Sequence, residues 1–174
     1  MHRFAVLLWL LTQTAHLSAQ NNSPADSIIK QAYKQATQEN KKVLVIFHAS
    51  WCTWCHKLDS SIKDSLIQNI FNRNFIVTHL SVFEFVAKKN LETPGALDLY
   101  KNYSGGKAVS IPFWVIVDNK GKLLADCRLE NGENVGCPAT VQEVKHLLEV
   151  LRVTSDITSN EQKLVEIVFR RNDQ

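Results

Sequence analysis

The apolar run Val43-Leu44-Val45-Ile46-Phe47 leads into Trp51-Cys52-Thr53-Trp54-Cys55, and this pairing constrains the chain more than anything else in it. Five consecutive apolar residues, β-branched and aromatic among them, read as a strand buried on both faces. A helix that opens straight after such a strand points its unpaired N–H groups and partial positive charge at whatever sits on its first turn. Both features favour a thiolate over a thiol. Cys52 falls at that terminus and is the expected nucleophile. Cys55 lies one turn further in, on the same side, close enough to close a disulfide with it.

The N-terminus reads as a targeting segment. Met1-His2-Arg3 is a short positive start, Phe4 to Leu11 an apolar run, and Leu17-Ser18-Ala19 a small-residue ending. That is the layout of a signal peptide, residues 1–19, removed after Ala19. The apolar run is too short to span a bilayer as a helix. The expected product is exported, periplasmic or secreted, with residues 20–174 forming one domain. Export also bears on the remaining cysteines, because disulfides persist outside the reducing cytosol. With Cys52 and Cys55 taken as one pair, Cys127 and Cys137 are left either to form a structural disulfide or to stay as two reduced thiols. The formal charge of +3 is small and its Lys and Arg are scattered, which excludes a nucleic-acid partner.

The rest of the chain alternates helical and extended patterns. Ser23-Pro24 caps a helix that ends near Asn40, and the buried strand runs from about Lys42 to His48. Leu58, Ile62, Leu66 and Ile70 repeat every four residues. Extended backwards, the stripe reaches Cys55, making Cys55 the shielded thiol and Cys52 the accessible one. Phe75 to Val82 is a second strand, and Ala96 to Tyr103 a short helix after the Pro94-Gly95 break. Phe113 to Val117 and Lys122 to Leu129 form a hairpin around Asp118-Asn119-Lys120-Gly121. Thr140 and Glu143 spell a capping box, followed by a stripe of Val141, Val144, Leu148 and Leu151. A last helix, at about 159–171, carries Leu164, Val165, Val168 and Phe169. It either packs on the domain or offers a surface to a partner, and packing is the expectation.

This order, with Ala49-Ser50-Trp51-Cys52-Thr53-Trp54-Cys55-His56-Lys57-Leu58, Pro94-Gly95, Ile111-Pro112-Phe113 and Asp118-Asn119-Lys120-Gly121, resembles the exported bacterial thioredoxin-like proteins. The resemblance covers about residues 26–152. It implies an α/β thioredoxin-like fold, with a central mixed sheet of about four to five strands flanked by helices. The helix near the C-terminus is an addition to it. It also implies a cis Pro112 beside the dithiol and a substrate chain laid against Ile111, Pro112, Trp51 and Trp54. The implied activity is thiol–disulfide exchange with protein substrates, Cys52 attacking and Cys55 resolving. No organic cofactor and no metal are expected. A membrane electron donor is implied if the protein reduces its substrates, and a monomer is the expected state.

Two departures from the family pattern stand out. Thioredoxins carry a buried Asp six residues before the first cysteine, where this chain has Ile46; the Lys that pairs with it falls at or near His79. A different proton acceptor for Cys55 is therefore needed, and His56 and His79 are the candidates named, with His48 and water beside them. The segment between Pro94-Gly95 and Pro112 is also longer than in plain thioredoxin.

Other chemistry fits the same residues. Cys52-Thr53-Trp54-Cys55-His56 is formally a c-type haem attachment motif, but it opens an amphipathic helix after a core strand. Cys127 and Cys137 are a poor second half for a zinc site. Copper(I) binding and delivery by an exported dithiol suits soft thiolates. A redox-silent binding module that keeps the fold is the remaining alternative.

Overall fold

The computed structural model describes residues 23–107 and 109–173. The expected signal peptide lies outside the described residues. Helix α1 (Pro24–Glu39) begins on a capping box in which Ser23 and Asp26 satisfy each other's backbone N–H groups, and it ends at Asn40 in the left-handed conformation. Ala25, Ile29, Ala32 and Ala36 form its buried stripe. Strand β1 (Lys42–His48) follows, with Val43 to Phe47 all buried. Helices α2 (Thr53–Ile62) and α3 (Gln68–Asn74) lead to β2 (Phe75–Ser81). A 3-10 stretch, Val86–Leu91, and α4 (Ala96–Ser104) precede the hairpin of β3 (Phe113–Val117) and β4 (Leu123–Asp126). Helices α5 (Val141–Thr154) and α6 (Ser159–Arg170) close the chain, each on its own capping box.

The sheet has four strands in the order β2-β1-β3-β4. β1 pairs parallel with β2 and antiparallel with β3, so the sheet is mixed as expected. β1 and β3 occupy its centre, which explains why their sequences are unbroken apolar runs. β4 is shorter than the predicted Lys122–Leu129, and Arg128 instead bridges Asn134 across a loop.

The four-residue stripe after the cysteines does not form one helix. α2 stops at Ile62, Asp64 accepts the backbone N–H of Leu66 in an Asx turn, and the register changes. Leu66 turns to solvent and Ile67, fully buried, takes its place in the core. A similar shift occurs in α5, where Val141 is exposed and Leu147 and Val150 join Val144 and Leu151 inside.

Helix α6 packs on the domain. Val165, Val168 and Phe169 are buried, and Phe169 meets Phe71 of α3 with ring centroids 6.5 Å apart. Beyond it, Asn172 donates to Ser61 Oγ at 3.0 Å and to the Pro138 carbonyl at 3.2 Å. Its own carbonyl accepts from Lys57 Nζ at 3.2 Å. The C-terminal segment thereby joins α2 to the loop before α5.

Candidate functional site: a disulfide at a helix N-terminus

Cys52 is the N-cap of α2, extended in backbone conformation, and its Sγ accepts the N–H of Cys55 at 3.2 Å. Cys52 and Cys55 are joined as a disulfide. One backbone donor at a helix start is thus aimed at the sulfur that would carry charge when the bond is reduced. The two cysteines are equally shielded, at 5% and 4% exposure, so the expected contrast between an open Cys52 and a covered Cys55 is absent. The reason is packing from outside the helix: Ala49 and Ile111 close over both.

The Ile111–Pro112 bond is cis, and the Ile111 carbonyl oxygen lies 3.7 Å from Cys52 Sγ. Asn134, which the sequence reading did not single out, holds this loop. Its Nδ2 donates to the carbonyls of Ser110 at 2.7 Å and Pro112 at 3.1 Å, and its Oδ1 accepts from Gly136 N at 3.0 Å. Gly136 has φ +60°, and a Cβ there would lie 2.8 Å from the Pro112 oxygen. Glycine is the residue this close approach permits.

Trp51 and Trp54 flank the disulfide and are both exposed. Trp51 stacks on Phe85 at 5.2 Å and donates its indole N–H to the Phe83 carbonyl at 2.8 Å. Trp54 carries Lys57 Nζ over its ring at 4.5 Å. An open groove of about 390 Å³ runs beside it, lined by Trp54, Ile111, Pro112 and Cys137 among others. Of the four residues expected to meet a substrate chain, Ile111 packs on the sulfur pair, Trp51 and Trp54 bracket Cys52 along the chain, and Pro112 lines the groove with Trp54.

Of the two states left open for the remaining cysteines, the structure shows the reduced one: Cys127 and Cys137 are free and buried. Each sulfur has its own neighbours. The Cys127 thiol donates to Asn134 Oδ1 at 2.9 Å and accepts Trp114 N–H at 3.2 Å, behind the Pro112 loop. Cys137 receives Asn172 Nδ2 at 3.5 Å. Burial pushes both thiols up to about 12.

Of the imidazoles, His56 Nε2 donates to the Ser50 carbonyl at 3.0 Å, and His48 meets Ser81 Oγ at 3.3 Å. His79 Nε2 lies 2.7 Å from Asp59 Oδ1. Asp59 is a second residue that sequence reasoning missed, although its place four residues after Cys55 was there to be read. Among the described residues no group of three or more His, Cys, Asp and Glu side chains gathers as a metal site requires.

The sequence model of a family described as thioredoxin-like matches residues 25–119. The chain belongs to the thioredoxin-like family. This thioredoxin-like chain is 28% identical over 123 residues to the disulfide bond reductase DsbH of Chlamydia pneumoniae, an alignment covering 69% of this chain and 70% of that protein. A solved structure, the disulphide isomerase of Xylella fastidiosa Temecula1, matches with a TM-score of 0.51 at 19% identity, over 91% of this chain and 98% of that one. The structural match shows the fold. It is the thioredoxin-like one, a four-stranded mixed sheet flanked by helices, with a helix added near the C-terminus.

Proposed function

We propose that this protein is an exported thiol–disulfide oxidoreductase that exchanges disulfides with protein substrates. The observation that carries the reading is the Cys52–Cys55 disulfide at the N-terminus of α2, with Cys52 Sγ receiving a backbone N–H and facing Ile111. In the reductive direction, the Cys52 thiolate attacks one sulfur of a substrate disulfide and the other leaves as a thiolate. Cys55 then attacks Cys52 Sγ, the second substrate thiolate leaves, and the protein is left oxidised. In reverse, the oxidised pair passes its disulfide to a reduced substrate.

Trp51, Trp54, Ile111 and Pro112 form the surface that receives the substrate, and an extended segment would lie along the groove beside Trp54. The kinship with a protein named as a disulfide bond reductase supports this chemistry. Residues 1–19 act as the signal peptide, residues 20–174 are the mature domain, and the site of action is the periplasm or outside the cell. A membrane electron donor re-reduces the pair if the protein works as a reductant, and the protein acts as a monomer without an organic cofactor.

The test is the potential of the pair, read from Trp51 and Trp54 fluorescence against a glutathione series, with insulin reduction alongside. A value near or below about −250 mV makes the protein a reductant, and one above about −180 mV an oxidant or isomerase. Cys52→Ser is expected to abolish insulin reduction. A chain with no reversible couple, or with turnover that survives Cys52→Ser, is not this enzyme; copper(I) delivery or redox-silent binding would then lead.

A further inference from the structure

Resolution of the mixed disulfide needs Cys55 as a thiolate, and Cys55 is buried at the foot of α2 among Ala49, Cys52 and Ile111. A thiol in apolar surroundings does not ionise unless its proton has somewhere to go. His56 Nε2 bonds the Ser50 carbonyl and His48 Nε2 bonds Ser81 Oγ, so among the described residues neither has a carboxylate against it to stabilise the imidazolium that proton uptake would form. The Asp59–His79 pair remains. Asp59 sits one helical turn beyond Cys55 on the same face of α2, which places the two Cβ atoms about 5–6 Å apart. Its partner comes from the sheet: His79 of β2 is in register with Ile46 of β1 and reaches up to the carboxylate at 2.7 Å. Both side chains are a little over one-quarter exposed, so water reaches them.

We propose that Asp59 and His79 form the proton relay of Cys55, with His79 as acceptor and Asp59 as the positioning residue that orients it. The inference rests on the thiol–disulfide reading above. An ionised carboxylate can only accept, so the His79 Nε2 proton is donated to Asp59 and Nδ1 is left as the base. In the mixed disulfide, Cys55 gives its proton through a water to His79 Nδ1. The new Cys55 Sγ–Cys52 Sγ bond forms as the bond from Cys52 Sγ to the substrate sulfur breaks. The substrate sulfur departs with the electron pair and takes up a proton in turn. The relay then holds an imidazolium beside a carboxylate, an ion pair stabilised by its own attraction.

The surroundings match these roles. Burial opposes charge on Asp59, yet the hydrogen bond from His79 and the charge of Lys63, 3.7 Å away, hold its carboxyl below the usual range. It therefore stays ionised and fixes the His79 tautomer. His48, edge-on to His79 with ring centroids 5.2 Å apart, is held below its ordinary value by burial, by His79 and by His56, against the pull of Asp59 and Glu84. His48 thus stays neutral when His79 takes a proton. The groups facing the relay are Asp59, Lys63 and His56 from α2, His48 from β1, and Glu84 from the loop after β2.

The decisive experiment separates the two steps of exchange in the reduced full-length chain with an aromatic disulfide reagent whose released thiol is coloured. A first coloured thiol reports attack by Cys52, and a second reports resolution by Cys55. Asp59→Asn and His79→Gln are expected to slow the second release about tenfold or more near neutral pH, in keeping with general-base catalysis. Their resolution rates should then climb with hydroxide alone and meet the parent's at high pH. The first release should keep its rate, and Asp59→Glu should restore the second. Unchanged pH profiles of resolution in both variants overturn the relay while leaving the oxidoreductase reading intact. Equal slowing of both releases together with a lowered Tm, and no rescue by Asp59→Glu, also overturns it in favour of a structural pair. Absence of any first release from the parent protein removes the oxidoreductase reading, and the relay with it.

Discussion

Glu84 accepts two hydrogen bonds from Ser50, one from its backbone N–H at 2.6 Å and one from its hydroxyl at 2.8 Å. The loop after β2 is thereby fastened to the residue two before Cys52. Glu84 is 5% exposed, and burial opposes its charge. The Ser50 donors, with Lys88 and His48 nearby, still hold its carboxyl below the usual range. The same anchor places Phe83 and Phe85 against Trp51, so the apolar rim of the disulfide depends on one buried carboxylate.

Glu84→Ala leaves the Ser50 N–H without a partner and frees the loop. Its unfolding free energy should fall by about 1–3 kcal/mol in urea denaturation. Insulin reduction should fall with it, because Trp51 loses the Phe85 stack. A midpoint and turnover equal to the parent's would remove Glu84 from the account.

The two free cysteines should be silent in the native fold. Thiols held up near 12 present almost no thiolate at neutral pH. Alkylation of the reduced native protein followed by mass spectrometry should mark Cys52, the thiol at the helix N-terminus, and spare Cys127 and Cys137. All four should react in denaturant. Rapid native labelling of Cys127 would contradict its burial behind the Pro112 loop.

Gly136→Ala tests the approach of that loop to its support. The new Cβ meets the Pro112 carbonyl, and the residue must hold φ +60°. The conformational cost alone is about 1–3 kcal/mol. Both Tm and insulin turnover should drop, since relief of the contact moves Ile111 and Pro112 away from Cys52. A crystal structure of the variant with the loop unmoved, at parental activity, would refute this.

Acid should destabilise the fold in two stages. Folded His48 is held below its ordinary value, chiefly by burial and then by His79, so the unfolded chain takes up this proton first. Stability from neutral His48 is whole above about pH 6.5 and is lost as the pH falls below it, until folded His48 itself protonates. Asp59 adds a second stage. Its folded pKa is depressed despite burial, so its contribution is present above about pH 4 and disappears as the pH falls through the lowered folded value. Denaturant unfolding measured from pH 8 downwards should show both, and His48→Gln should erase the upper one.

Phe169→Ala removes a fully buried ring between α6 and α3. The loss should be about 3–5 kcal/mol, a core-sized effect. A change below about 1 kcal/mol in chemical denaturation would mean that α6 is an appendage and not part of the core.

Much of this protein was legible before any coordinates. The strand Lys42–His48, the caps at Ser23 and Thr140 and the strand Phe113–Val117 all rest on local signals: unbroken apolar runs and side chains that bond their own backbone. Cys52 and Cys55 are joined within one helical turn, so their pairing is local too. What local pattern could not decide depends on residues far apart in sequence. Leu66 fits the helical stripe but yields its place to Ile67, because the Asp64 turn resets the register. Cys127 and Cys137 look like partners by count, yet each is a free thiol with its own neighbour, Asn134 for Cys127 and Asn172 for Cys137. The Ser50–Glu84 anchor and the Asp59–His79 pair join side chains across 34 and 20 residues. Sequence determined which groups are chemically able to act, since that follows from residue type and the nearest turn of backbone. Tertiary structure decided which of them meet, because a hydrogen bond operates over about 3 Å and only folding sets that distance.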